Sequence, residues 1–377
     1  MKNIKVFRCK KCLTPSLRPR VTFNSKRICN ACQNHKTLIN FDWEKRFKEL
    51  KKFAKKINKE TVGKKYNCIV PTGGGKDSSY VAWHVKNTLG LRPLCVFCEP
   101  SLFTNHGKQN LVNFQKSGFK LEILKTNNYF RDYDIKCFKK VGLPQQAWLQ
   151  AIVIYPIKVA LKHNIKYIFG GEEAESSYGG SNKNFLKKFV KLSENKKFLL
   201  EGQEIENYYT KKQLKKFKNI YFTKKELKKA NSIYKLFWSS FEFWDERKHF
   251  KIAREKCGLK YSKKRDTNAI NKHSHTDQRL YALHMFLAYL KFGFSRATTD
   301  ASIAVRLGYM DRAIGLKIIE KYDHIFPIEY LNDYLKYFKM SKKEFFEILQ
   351  SFVNRKLFKN NDVLNLRLKK NNIKNYR

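Results

Sequence analysis

The sequence predicts an α/β protein: a parallel sheet flanked by helices, preceded by a small cysteine-rich module and followed by a helical C-terminal region. Three observations predict it. Apolar runs of strand length alternate with helical periodicity from Tyr66 to Phe169, with short connections, the pattern of parallel strands joined by crossover helices. Two Cys-x-x-Cys pairs stand near the start, Cys9/Cys12 and Cys29/Cys32. A Gly73-Gly74-Gly75-Lys76-Asp77-Ser78 run follows the first strand-like stretch directly. With 377 residues and 42% hydrophobic content, the chain can bury two or three cores. We divide it at 1–40, 41–180, 181–275 (an insertion in the substrate region) and 276–377.

The cysteine pairs are separated by sixteen residues, Leu13 to Ile28. Two thiolate pairs on tight turns at that distance are the donor set of a four-cysteine zinc ribbon. Four ligands leave no open position, so the expected Zn2+ is structural. The chain has nine cysteines in all, and disulfides are not expected. Cys95 and Cys98 repeat the spacing, but inside a predicted strand, where alternation sends them to opposite faces; they read as core.

Asp42 is a suitable N-cap for a helix whose apolar face is Trp43, Phe47, Leu50, Phe53 and Ile57. Tyr66 to Val70 is strand one, and Tyr80 to Val85 resumes helical spacing after the glycines. Strand, glycine loop and helix present backbone N–H groups and a positive helix end to an anion. The Walker A pattern needs Ser or Thr directly after Gly-Lys, and Asp77 stands there instead. Leu94–Cys98, Phe119–Leu124 and Ile165–Phe169 are the next strands. Helices are expected over Asn105–Ser117, Phe130–Val141 and from Pro144 to His163. Ligands of such sheets bind at the carboxyl ends of the strands.

Beyond strand four lies Gly171-Glu172-Glu173-Ala174-Glu175-Ser176-Ser177-Tyr178-Gly179-Gly180. Magnesium on ATP phosphates would use one or two of these carboxylates, and another could orient a substrate or relay a proton; the alternative is a solvated acidic turn. Residues 181–235 are lysine-rich and weakly periodic. Trp238, Phe241, Phe243 and Trp244 form either a sugar-stacking platform or a core patch. His273, His275 and Asp277 precede a strong helix, Leu280 to Phe292, and read as substrate contacts or caps ahead of metal ligands. Lys291-Phe292-Gly293-Phe294-Ser295-Arg296-Ala297-Thr298 is a candidate anion-binding turn. Further helices are expected at Asp300–Leu307, at Arg312–Tyr322 and after Ser341.

The net charge is +47. Its lysines are dispersed over the predicted helices, with no single basic stripe, so nucleic acid is not expected as the partner. Met1 to Cys9 contains no apolar stretch of signal-peptide length, and no run reaches membrane-spanning length; a cytoplasmic protein is expected.

The glycine loop resembles the pyrophosphate-binding loop, Ser-Gly-Gly-x-Asp-Ser, of the ATP pyrophosphatases, the PP-loop superfamily with its adenine nucleotide alpha hydrolase-like fold. The usual Ser falls at Gly73; either that hydroxyl is missing or Thr72 supplies it around an extra Gly. Over residues 8–327 the order of motifs resembles the N-acetyl sugar amidotransferases of lipopolysaccharide O-antigen and of flagellin pseudaminic and legionaminic acid biosynthesis. The cysteine ribbon with Arg18-Pro19 inside it, Asp42-Trp43, the loop, the Glu172–Gly180 stretch and Lys291–Thr298 carry that resemblance.

It implies conversion of a sugar's acetamido group to acetamidino with ATP. Thr72, Gly73, Gly74, Gly75, Lys76, Asp77 and Ser78 would bind ATP. Lys76, Asp77 and Glu172 would be catalytic, with Asp77 and Glu172 on Mg2+. Glu175, Tyr178, Lys291, Ser295 and Arg296 would bind a nucleotide-linked sugar. Lys2 follows Met1 and no Gly-x-Cys-x-Gly elbow occurs, so ammonia is expected from a separate glutaminase subunit, with a cyclase-like channelling subunit as a further partner. The alternative is a tRNA-thiolating ATP pyrophosphatase.

Overall fold

The computed structural model describes residues 6–190, 202–272, 276–360, 362–366 and 369. Its centre is the expected parallel sheet, of five strands: β1 (Cys68–Pro71), β2 (Pro93–Cys98), β3 (Leu121–Leu124), β4 (Tyr167–Gly170) and β5 (Tyr234–Phe237). The spatial order is β3-β2-β1-β4-β5, and every pairing is parallel. The chain leaves β1 toward β2 and β3 on one side and returns to β4 on the other. The glycine loop therefore leaves the central strand where the order reverses, the position at which open α/β sheets bind ligands.

Period-two alternation fills both faces. Cys68 and Val70 face one core with Leu50, Ala54 and Ile57 of α2 (Trp43–Glu60) and Tyr80, Val81 and Val85 of α3 (Lys76–Asn87). Ile69 faces the opposite core with Ile154, Ile157 and Ala160 of the long apolar helix Gln146–Lys162. A strand buried on both sides reads as a continuous apolar run, as β1 and β2 do. Cys95 packs on the first face, while Cys98 belongs to a third cluster with Phe130 and Leu143; both thiols are buried, as alternation predicts.

Helices fill the connections in chain order. After α1 (Asn30–Ile39), α2 and α3 come α4 (Asn105–Lys116), α5 (Asn128–Val141), α6 (Gln146–Lys162) and α7 (Ala174–Tyr178). These are followed by α8 (Lys211–Leu214), α9 (Lys224–Ala230) and α10 (Glu246–Cys257). A C-terminal set, α11 (Leu280–Phe292), α12 (Arg296–Arg306), α13 (Arg312–Tyr322), α14 (Leu331–Phe338) and α15 (Lys342–Ser351), completes the chain. Asp42 caps α2 by accepting from Lys45 N at 2.9 Å. Leu283, Phe286, Leu287 and Leu290 of α11 meet Tyr334, Phe338, Phe345 and Leu349 in a separate C-terminal core, joined to the sheet domain through Phe138 of α5.

Two sequence expectations change. The segment taken as an insertion, 181–275, contributes β5, which pairs with β4 in register Tyr167↔Tyr234, and α10, which packs along α3. The division at 180 thus cuts through the sheet. The aromatic cluster resolves as two things: Trp238 and Phe241 are core, whereas Phe243 and Trp244 are partly exposed. His273 and His275 lie outside the described residues. Among the described residues, no helix is long and apolar enough to cross a membrane.

Candidate functional site

The glycine loop is built by its own hydroxyls. Gly74 has φ +71°, a value that suits glycine, and a Cβ there would lie 3.1 Å from the Leu111 backbone, so a larger residue would be strained and crowded. Thr72 Oγ1 accepts Gly74 N–H at 3.2 Å and donates to Ser78 Oγ at 3.1 Å. Ser78 Oγ in turn accepts Gly73 N–H at 3.2 Å. Gly75 is the N-cap residue of α3. The hydroxyl of Thr72, the sequence's candidate substitute for the missing serine, lies in the loop's interior. The two oxygens occupy backbone donors of the kind that meet a phosphate.

At the start of α3, Lys76 Nζ lies 2.6 Å from Asp77 Oδ2 and 3.4 Å from Glu246 Oε2. Asp77 Oδ1 meets His249 Nδ1 at 2.9 Å. Burial opposes the Asp77 charge, but Lys76 and His249 outweigh it and hold the carboxyl well below its ordinary range. Lys76 is likewise held above the usual lysine range by Asp77 and Glu246 against its burial. Glu172, past the end of β4, goes the other way: burial and the Asp77 charge push it up to about 7, opposed by its hydrogen bond with Tyr178 OH at 2.7 Å and by Lys76 and Arg296. Two acids on one site thus have divergent basicities, a pattern of functional sites.

Two cavities flank this cluster. One, of about 190 Å³, lies against Pro71, Thr72 and Gly73 and the edge Val96–Cys98, with Trp148 and Asp277 closing it. Asp277 arrives there because Thr104 N and Thr104 Oγ1 tie the backbone of Asp277 and Thr276 to the start of α4. Burial raises Asp277 to about 6. The larger cavity, of about 710 Å³, lies between the cysteine module, α7 and the C-terminal helices. It contains Glu175, Tyr178, Lys291 and Arg296 together.

These four are not equally available. Glu175 is gripped by Arg20 through both oxygens, at 2.6 and 2.8 Å, and accepts Ser181 N–H. Arg296 is paired with Asp300 at 2.6 Å and reaches Tyr281 OH. Lys291 Nζ donates to the carbonyls of Val141 and Gly142 at the end of α5. Ser295 is fully buried, and its hydroxyl does not reach the cavity lining. His249 is in the site although no sequence signal singled it out, since it sits inside an ordinary amphipathic helix. Arg18, marked in the sequence only as part of the Arg18-Pro19 pair within the ribbon and given no role there, lines the larger cavity.

The four cysteine sulfurs lie within 4.8 Å of one another and are all buried. The 3.7 and 3.9 Å pairs, Cys12–Cys29 and Cys9–Cys32, approach the edge of roughly 3.8 Å that a tetrahedron with metal–sulfur bonds of about 2.3 Å requires. The donor set and spacing fit a metal ion. The module is fastened to the acidic stretch: Asn30 Nδ2 donates to Gly180 O, Asn34 Nδ2 to Ser176 O, and Arg306 NH1 to Ser177 O while its NH2 reaches Cys12 Sγ at 3.8 Å.

Comparison with known proteins adds three findings. The U34-tRNA thiolase NcsA from Methanococcus maripaludis, solved with its 4Fe-4S cluster, overlaps 71% of this chain and 79% of its own, at 12% identity and a TM-score of 0.31. The uncharacterized protein MJ1599 of Methanocaldococcus jannaschii is 26% identical over 188 residues, 49% of this chain and 65% of that protein, so the match spans just under two thirds of it. Residues 259–371 match the family described as the C-terminal domain of LPS biosynthesis protein WbpG-like proteins.

Proposed function

We propose that the protein is an ATP-dependent amidotransferase that converts the acetamido group of a nucleotide-linked N-acetyl sugar to an acetamidino group, in the biosynthesis of a surface glycan. One observation carries the reading. The Glu172–Tyr178 hydrogen bond joins the Lys76/Asp77 cluster of the glycine loop to a cationic, aromatic-lined cavity large enough for a sugar. The match of residues 259–371 to an LPS-biosynthesis family supports the substrate class.

The residues suit the chemistry. An amide carbonyl is a poor electrophile. Its oxygen attacks the α-phosphorus of ATP, pyrophosphate leaves, and an O-adenylyl imidate forms. Ammonia adds to the carbon, and AMP departs with the former amide oxygen, leaving the amidine. Adenine would lie in the smaller cavity against Val96 to Cys98. The N–H groups of Gly73 to Gly75, released from Thr72 and Ser78, would hold the pyrophosphate, with Lys76 neutralising its charge. Mg2+ on the phosphates, held by Asp77 and Glu172 directly or through water, would supply further charge neutralisation. A structural Zn2+ in the Cys9/Cys12/Cys29/Cys32 site would fix one wall of the sugar cavity. Ammonia would come from a separate glutaminase.

The test is incubation of the purified chain with MgATP, UDP-linked N-acetyl sugars and ammonium. Amidine, AMP and pyrophosphate in equal amounts are expected, with no product when glutamine replaces ammonium. ADP formation, or AMP formation indifferent to the sugar, sinks the reading. Turnover on glutamine would remove the separate glutaminase. The charge of +47 favours a second reading, a tRNA-modifying ATP pyrophosphatase. Tight tRNA binding with a steep salt dependence would select it.

A further inference from the structure

The larger cavity contains a cation that no carboxylate among the described residues pairs with. Among the described residues, Arg18, Arg20, Lys291 and Arg296 line it, against one acid, Glu175. Arg20 takes both oxygens of Glu175, Arg296 has Asp300, and Lys291 rests on two helix-end carbonyls. Arg18 makes a 3.3 Å hydrogen bond from NH1 to Thr299 Oγ1, and its guanidinium carbon lies 5.3 Å from the ring centres of both Tyr178 and Phe294. No described carboxylate pairs with it. A turn sets its backbone, with Arg18 N–H on Pro15 O and Val21 N–H on Arg18 O.

A guanidinium carries five N–H donors, and Thr299 uses one. Burial pushes the Arg18 basicity down to about 10, and the half-buried side chain keeps its remaining surface on the cavity. Withdrawing a cation from water is costly unless an anion completes it. With one donor on Thr299, the guanidinium keeps donors for a ligand, and its planar fork suits bidentate pairing with carboxylate or phosphate oxygens.

We propose that Arg18 is the anion-binding residue of this cavity: carried by the cysteine module, it receives the carboxylate or diphosphate oxygens of the sugar substrate. The assignment rests on the proposed function for calling the ligand a sugar substrate, while the anion site itself rests on the geometry. Tyr178 touches both centres, with its ring on Arg18 and its hydroxyl on Glu172. The substrate's anionic group is thereby placed across one tyrosine from the reacting cluster. The cysteine module is then part of the substrate site as well as a structural clip.

Calorimetry on the full, metal-loaded chain tests this, saturated with Mg2+ and α,β-methylene-ATP, which cannot be split to AMP. The probes are UDP and N-acetylneuraminate, an N-acetyl sugar with a carboxylate. R18Q should weaken the binding of at least one probe by about tenfold or more, with bound metal and affinity for the ATP analogue unchanged; R18K, which keeps charge and loses the fork, should fall between. Loss confined to UDP assigns the diphosphate; loss confined to N-acetylneuraminate assigns the sugar carboxylate. T299V lies outside the cysteine module and should weaken the same probe by less. Neither probe binding the native chain overturns the proposal, as does native affinity in R18Q or, should R18Q lose its metal, native affinity in T299V. Because binding is read without turnover, Arg18-dependent binding in a chain that makes no amidine would keep the anion site and remove the amidotransferase reading.

Discussion

His249 Nδ1 stands 2.9 Å from Asp77 Oδ1, and its ring is enclosed between Tyr80 and Trp244 at centroid distances of 4.3 and 4.1 Å. The two residues are 172 positions apart in the chain, on facing helices α10 and α3. An ionised Asp can only accept, so Nδ1 carries the proton. The enclosed ring fixes one carboxylate oxygen and leaves the other to Lys76.

Replacing His249 by Phe keeps the ring and removes the donor. Loss of such a supporting hydrogen bond lowers activity by about 10–100-fold. We expect that loss in AMP formation by H249F, with little change in melting temperature. Native turnover would show that Lys76 alone orients Asp77.

The loop's middle glycine is a backbone requirement. G74A would force a side chain into φ +71° and against the Leu111 backbone. A cost of about 1–3 kcal/mol is expected from the conformation alone. Denaturant unfolding should show that loss, and calorimetry a weakened affinity for ATP; unchanged ATP affinity would place the nucleotide elsewhere.

Asp134 gives a pH signature away from the site. It is fully buried, accepts Ala147 N–H at 2.7 Å and the Tyr337 hydroxyl at 2.7 Å, and burial raises it to about 7 from an ordinary 3.8. The folded chain therefore holds a proton that the unfolded chain releases. Stability from this group is highest below about pH 4, falls as pH rises towards 7, and is level above. D134N removes the slope: relative to the native chain, its melting temperature should be higher at pH 8 than at pH 5. A parallel pH dependence in both proteins would contradict the assignment.

The cysteine site should hold one metal ion per chain by elemental analysis. C12S should lose it and, because Arg306 and the module's asparagines tie the ribbon to α7, should lose binding in the larger cavity while retaining ATP. Retained metal in C12S would remove Cys12 from the ligand set.

Much of this was legible from residue order. The switch from strand to helix period across Gly73–Gly75 located β1, the loop and α3, and the cysteine spacing located the ribbon. β5 was hidden because Tyr234-Lys235-Leu236-Phe237 closes a lysine-rich, weakly periodic stretch and itself carries a lysine. That amine is pushed down to about 8 by burial, so its charge misled a reading based on polarity. Lys291 and Arg296, read from the sequence as candidates for an anionic group on the substrate, line the larger cavity, but a sequence does not display which cations already have partners. The pairing of His249 with Asp77 is a tertiary fact with no local trace.

The cysteine module is bonded to partners made far later in the chain. Arg8 reaches Thr298 across 290 positions, Arg18 reaches Thr299 across 281, and Arg306 reaches Cys12 across 294. At a synthesis rate of about 5–20 residues per second, the module leaves the ribosome on the order of 15–60 s before those partners exist. Its four cysteines are translated together and could take up a metal on the nascent chain, but the wall it forms is completed only when α12 has been made. A ribosome that stalls before Thr298 leaves a charged surface without its counterpart, a natural target for the machinery that clears unfinished chains.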